Sequence, residues 1–168
     1  MISIGSGDQD GEDTDSSPAT PKGPSLRERA FRFLARRDYA RVELGRKLTA
    51  YASDPDELVA LLNQLEQGGY LSDARFAEQR VVARAKRHGN ARLAYELRTK
   101  GVDEAIIASA LDTIGNEFER ARGAWQKKFS APPASREDWA KQARFLQSRG
   151  FSTDIIRRLL NDCDAPDD

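Results

Sequence analysis

The chain has 168 residues, with 39% hydrophobic and 32% charged side chains, which suits a water-exposed helical protein built as one domain or a string of small modules. Its single cysteine, Cys163, and single histidine, His88, exclude an internal disulfide and a Cys/His zinc site. No apolar run approaches the roughly 18 residues of a membrane span, and no basic-then-apolar signal opens the chain, so a cytoplasmic location is expected.

The formal net charge is zero, from 27 basic and 27 acidic residues, but the charges are sorted. Residues 1–24 carry Asp8, Asp10, Glu12, Asp13 and Asp15 against Lys22, a balance of −4. Residues 162–168 carry four acids and no base, leaving +8 for residues 25–161. A basic body between acidic ends is the electrostatic footprint of a polyanionic partner.

Residues 1–24, rich in Gly, Ser, Asp and Pro, have little to bury and are expected to form a disordered acidic tail. "DQDGED" lacks the spacing and terminal glutamate of a calcium loop. "GSG" is not placed between a strand and a helix as a phosphate loop requires.

Beyond Pro24 the punctuation is that of helices throughout. In "SDPDELVALLNQLEQGG", Asp54 can cap, Pro55 suits the first helical position and Glu57 completes a capping box. Leu58, Leu61, Leu62 and Leu65 form one apolar stripe, and Gly68–Gly69 ends the helix. Ser72, Asn116 and Ser135 are further predicted caps.

An internal repeat organises the body. "ELRTKGVDEAIIASAL" (Glu96–Leu111) matches "FLQSRGFSTDIIRRLL" (Phe145–Leu160) at an offset of 49. Gly101 and Gly150 end one helix, Asp103 and Thr153 can cap the next, and the paired isoleucines face the groove between them. A weaker copy begins at Glu43–Leu44, aligned with Glu96–Leu97; there Leu48 replaces the glycine. The prediction is an all-α, elongated and curved rod of three tandem three-helix modules, 25–71, 72–115 and 116–162, with a short acidic tail at 163–168. Units this small gain by stacking on neighbours.

On a helical wheel Ala74, Ala77, Val81 and Ala85 form an inward arc. Arg80, Arg84 and Arg87 run beside it, with Phe76 at the edge, while Arg75 and Lys86 lie on the far side. The next helix adds Arg92, Arg98 and Lys100, and only Glu78 and Glu96 oppose them locally. An exposed helix arginine ordinarily solubilises or makes a weak ion pair. Phe76 reads as a core or inter-module anchor, and Arg84 is placed to pair with an acid of a neighbouring helix. The unbalanced cluster as a whole makes Arg80, Arg84, Lys86, Arg87, Arg92, Arg98 and Lys100 the candidate contacts with nucleic acid, or with a filament displaying it. A second basic group, "RARGAWQKKF", holds Arg120, Arg122, Lys127 and Lys128 around Trp125 and Phe129, which read as core. Zinc-finger, basic-zipper and RNA-binding sheet motifs are missing. No catalytic residue or cofactor site is indicated, because the carboxylates sit in no evident apolar setting that would tune them.

"GYLSDARFAEQRVVAR" and "ARLAYELRTKGVDEAII", with "FLQSRGFSTDIIRRLL", resemble the RecX family, regulators of the RecA recombinase. Tyr70-Leu71, Asp73, Arg75-Phe76-Ala77, Arg84, Glu96-Leu97 and Lys100-Gly101 carry the resemblance, which spans residues 25–161. Ser72 stands where many members have an acid, and Asn90 where a second glycine is common. The resemblance implies a monomeric, non-enzymatic protein lodged in the helical groove of a RecA–single-stranded DNA filament, where it restrains filament growth, ATP hydrolysis and strand exchange. A general DNA-binding helical repeat, or a helical adaptor with merely solvated charges, are the alternatives.

Overall fold

The computed structural model describes residues 23–162. The expected acidic tails, 1–24 and 163–168, lie outside the described residues apart from residues 23 and 24. The described chain is all-α: α1 (Leu26–Leu34), α2 (Arg41–Leu48), a 3₁₀ turn (Thr49–Tyr51), α3 (Pro55–Gln67), α4 (Asp73–Arg84), α5 (Asn90–Thr99), α6 (Glu104–Asp112), α7 (Glu117–Gln126), α8 (Arg136–Ser148) and α9 (Thr153–Asp162).

Local chemistry starts most of these helices. Ser25 and Glu28 form a reciprocal capping box on α1. Asp54, Ser72, Asp103, Asn116 and Ser135 each accept a backbone N–H in the first turn of α3, α4, α6, α7 and α8. Each such bond satisfies a donor the helix leaves free, worth about 1 kcal/mol.

Three hydrophobic cores follow in chain order. Leu44, Leu48, Leu62 and Leu65 centre the first, and Val81, Leu93, Leu97 and Ile107 the second. Trp125, Leu146, Phe151, Leu159 and Leu160 centre the third. Phe76 is buried in the second core. Ala77, Val81 and Ala85 of the predicted arc are buried, whereas Ala74 is exposed.

The first repeat shifts by one helical turn from the sequence alignment. Leu44 and Leu48 occupy the fully buried positions of Leu93 and Leu97, so the offset is again 49, and Ala52 stands where Gly101 and Gly150 stand. A slip of four residues keeps a helix's apolar stripe almost in place, so the stripe alone could not set the register.

The junctions between groups repeat as well. Helices α2 and α5 begin at Ala40 and Gly89, which give no side-chain cap. Instead the Arg41 N–H donates to Asp73 Oδ1 and the Asn90 N–H to Glu117 Oε1, each at 2.7 Å. Asp73 and Glu117 are the first residues of α4 and α7, so each capping carboxylate comes from the following group.

The glycine turns close the same junctions. Gly101 and Gly150 have φ of +79° and +83°. A Cβ on Gly101 would lie 2.6 Å from Val42 Cβ, and one on Gly150 2.6 Å from the Arg92 backbone nitrogen. Gly89 meets the Gly150 turn backbone to backbone: its N–H donates to the Arg149 carbonyl at 2.9 Å, and a Cβ there would sit 2.5 Å from Phe151 N.

Candidate nucleic-acid interface

The seven sequence-predicted cations divide into two sets. Arg80, Arg84 and Arg92 surround the half-buried carboxylate of Glu96 at 3.6, 2.9 and 3.3 Å. Arg98 pairs with Glu104 through two hydrogen bonds, and Lys100 reaches Glu43 across the first junction at 2.6 Å. Lys86 and Arg87, in the turn after α4, form no ion pair among the described residues.

These carboxylates do not cancel the region's charge. Glu96 leaves a surplus of two among its three arginines. Glu43 takes both Lys100 and Arg37 and leaves a surplus of one. Burial works against the charged form of Glu43, but hydrogen bonds from Arg37 and Lys100 outweigh it and hold the carboxyl below its ordinary value. At Glu104 the hydrogen bond from Arg98 lowers the carboxyl's pKa; both side chains lie on the surface.

Lys86 and Arg87 join a site that crosses the second junction. A cleft of about 270 Å³ is lined by Lys86, Arg87, Ala124, Lys127, Lys128, Phe145 and Arg149. It holds five cations and no carboxylate. Lys127 and Lys128 follow α7, Arg149 caps the C-terminus of α8, and Phe145 lies one turn back. The Arg149 guanidinium stands 4.6 Å from the Phe145 ring centroid, and its Nη1 donates to the Arg87 carbonyl at 3.3 Å. Arg149 therefore ties the two groups together at the cleft.

Three helix C-termini converge here, which explains the residue types. Each carries a partial charge of roughly −0.5 from its free carbonyls, and Lys or Arg in the last turn complements it. Three such ends offset about 1.5 charges against five cations. The remainder is directed at solvent, in a groove suited to a phosphate backbone.

Arg120, from the second basic group, has a structural role. It donates to the His88 carbonyl at 2.9 Å and to the Asn90 side chain, locking the turn beneath the cleft. Burial pushes its guanidinium pKa down, partly opposed by Glu117. His88 lies in the same turn; burial, and then the nearby charge of Arg84, hold its imidazole below 6.5. Arg149 escaped the sequence reading as a contact, since its only signal was the repeat match to Lys100. The tertiary fold alone places it against Arg87.

Among the described residues no group of His, Cys, Asp and Glu could hold a metal ion, and no helix is long and apolar enough to cross a membrane.

Tandem three-helix groups that share caps, with a carboxylate-free cationic groove at one junction, define a helical-repeat protein with a positively charged surface. Two family models match it: that described as "RecX, second three-helix domain" over residues 72–111, and that described as "RecX, third three-helix domain" over residues 116–160. The "Regulatory protein RecX" of Leptothrix cholodnii is 44% identical over 145 residues, covering 86% of this chain and 92% of the relative. That of Herbaspirillum seropedicae is 48% identical over 142 residues, covering 83% and 92%. The chain belongs to the RecX family. The crystal structure of RecX from Lactobacillus salivarius superposes with a TM-score of 0.72 at 23% identity, covering 83% of this chain and 94% of that one, a likeness of fold.

Proposed function

We propose that this chain is a non-enzymatic regulator of a RecA-type recombinase. It binds, as a cytoplasmic monomer, in the helical groove of the filament that the recombinase forms on single-stranded DNA. There it restrains filament growth, ATP hydrolysis and strand exchange. ATP belongs to the recombinase, and this chain needs no cofactor of its own. The observation that carries the reading is the five-cation groove at the second junction of a RecX-family chain. A repeat of three groups also presents several weak contacts on one body, which add through effective concentration.

The test is an ATPase and strand-exchange assay with purified recombinase on single-stranded DNA. The expected result is inhibition by the intact chain, and weaker inhibition by Lys86→Ala/Arg87→Ala/Lys127→Ala. No effect of the intact chain at micromolar concentration in low salt refutes the reading. The cationic lining of the groove, which suits phosphates on any strand, also favours a second reading, a general DNA binder. Equal affinity for filament and for bare DNA at two salt concentrations supports that reading instead.

A further inference from the structure

The first group of helices carries a cleft that the junction groove does not account for. It measures about 190 Å³ and is lined by Arg29, Arg32, Phe33, Arg36 and Tyr51, with no carboxylate. Arg29, Arg32 and Phe33 come from α1, Arg36 from the turn after it, and Tyr51 from the 3₁₀ turn.

Its chemistry differs from that of the groove, because its aromatic ring is open. Tyr51 keeps 49% of its surface exposed, while the Arg29 guanidinium stacks 4.2 Å from its ring centroid. Arg29 is fixed in that pose by an Nε–H bond to the Pro24 carbonyl at 3.1 Å. The side chains of Arg32 and Arg36 are exposed and form no ion pair among the described residues. Glu28, one turn before Arg32, is held at the helix start, where its Oε2 accepts the Ser25 N–H at 2.7 Å.

We propose that this cleft is a single-stranded nucleic-acid site: an unstacked base lies against the Tyr51–Arg29 pair, and Arg32 and Arg36 take the flanking phosphates. A flat ring backed by a guanidinium plane is a stacking platform for any base. Arg32 and Arg36 are four residues apart, about one helical turn, and both line the cleft, so they can reach neighbouring phosphates of one strand. A duplex keeps its bases stacked and cannot use the ring. An acidic peptide would satisfy the arginines but leave the open part of the ring uncovered. The assignment needs no recombinase and stands apart from the filament reading.

The experiment is fluorescence anisotropy of the full chain with labelled oligothymidylate, with a strand of equal length built of abasic sites, and with a hairpin duplex. Tyr51→Ala is expected to weaken oligothymidylate binding by about 5- to 150-fold and to leave the abasic strand and the duplex unchanged. Tyr51→Phe should retain binding. Arg32→Ala/Arg36→Ala should weaken both single strands and lower the salt slope by about 1.4, at about 0.7 per phosphate contact. Equal effects of Tyr51→Ala on the thymidylate and abasic strands would overturn the proposal, as would an unchanged salt slope in the arginine pair. Polyglutamate competing as well as oligothymidylate, charge for charge, would overturn it too, and would assign the cleft to an acidic protein segment.

Discussion

Gly150→Ala tests the second junction most directly. The residue lies at φ +83°, where an L side chain costs about 1–2 kcal/mol. The added Cβ would also sit 2.6 Å from the backbone nitrogen of Arg92. Backbone cannot swing aside as a side chain can, so the overlap must push the groups apart, at about 1–3 kcal/mol. The expected loss is about 2–5 kcal/mol in all. Gly115 is the internal control: its φ is +73°, and a Cβ added there would meet nothing within 4 Å. Gly115→Ala should therefore show only the conformational cost of about 1–2 kcal/mol. The entropy change of the unfolded chain is common to both variants and cancels in the comparison. Urea unfolding measures the difference. Amide exchange at Gly89, whose N–H bonds to the Arg149 carbonyl, should accelerate in Gly150→Ala and stay slow in Gly115→Ala. Equal stability losses with unchanged Gly89 exchange would refute the close backbone contact on which the cationic groove depends.

Glu96→Gln should act in opposite directions on two readouts. Stability should fall by about 1–3 kcal/mol, because charge-assisted hydrogen bonds from arginine are lost, with the solvent-exposed portions of those side chains limiting the effect. Affinity for single-stranded DNA at low salt should rise, since three arginines then face solvent unopposed; a fall would show that the cluster is purely structural. Arg87→Ala should lower the salt slope of DNA binding by about 0.7, and Arg92→Ala by less, because Glu96 already shares its charge. Replacing Asp73 or Glu117 by Ala should cost about 1 kcal/mol each and accelerate amide exchange at Arg41 or Asn90, in the preceding group, rather than in the helix that carries the substitution. Acidification should destabilise the fold from near pH 6.5 downward. Burial and Arg84 hold folded His88 below 6.5, so the unfolded chain takes up a proton that the native chain refuses, and stability falls as pH drops toward the lowered value. His88→Gln should flatten that part of the curve. Below about 4.5 the loss should continue in both proteins, as Glu43, whose carboxyl is lowered in the fold, gives up its charge.

Helix positions were legible in the sequence because their signals are local. Asp54 with Pro55, and Ser72, Asn116 and Ser135, all cap where their residue types predict. The register of the first repeat was not legible. Leu44 and Leu48 fit two alignments one turn apart, and burial selects one of them. The starts of α2 and α5 carry no local cap, because their caps are Asp73 and Glu117, 32 and 27 residues downstream.

The cationic surface was half legible. Composition marked a basic body, and Lys86 and Arg87 do line the groove, but the strongest local cluster closes on Glu96 instead. Arg80 and Arg84 on α4 meet a carboxylate on α5, a pairing set by how the two helices cross. Arg149 reaches Arg87 from 62 residues away.

The amino-acid order alone determined an all-helical chain, its repeat and its excess of positive charge, because capping, apolar periodicity and composition act within a turn or two. Only the tertiary structure decided which cations are held by carboxylates and which, among the described residues, form no ion pair. Charges interact through space, and the distances that matter here are set where one group of helices meets the next.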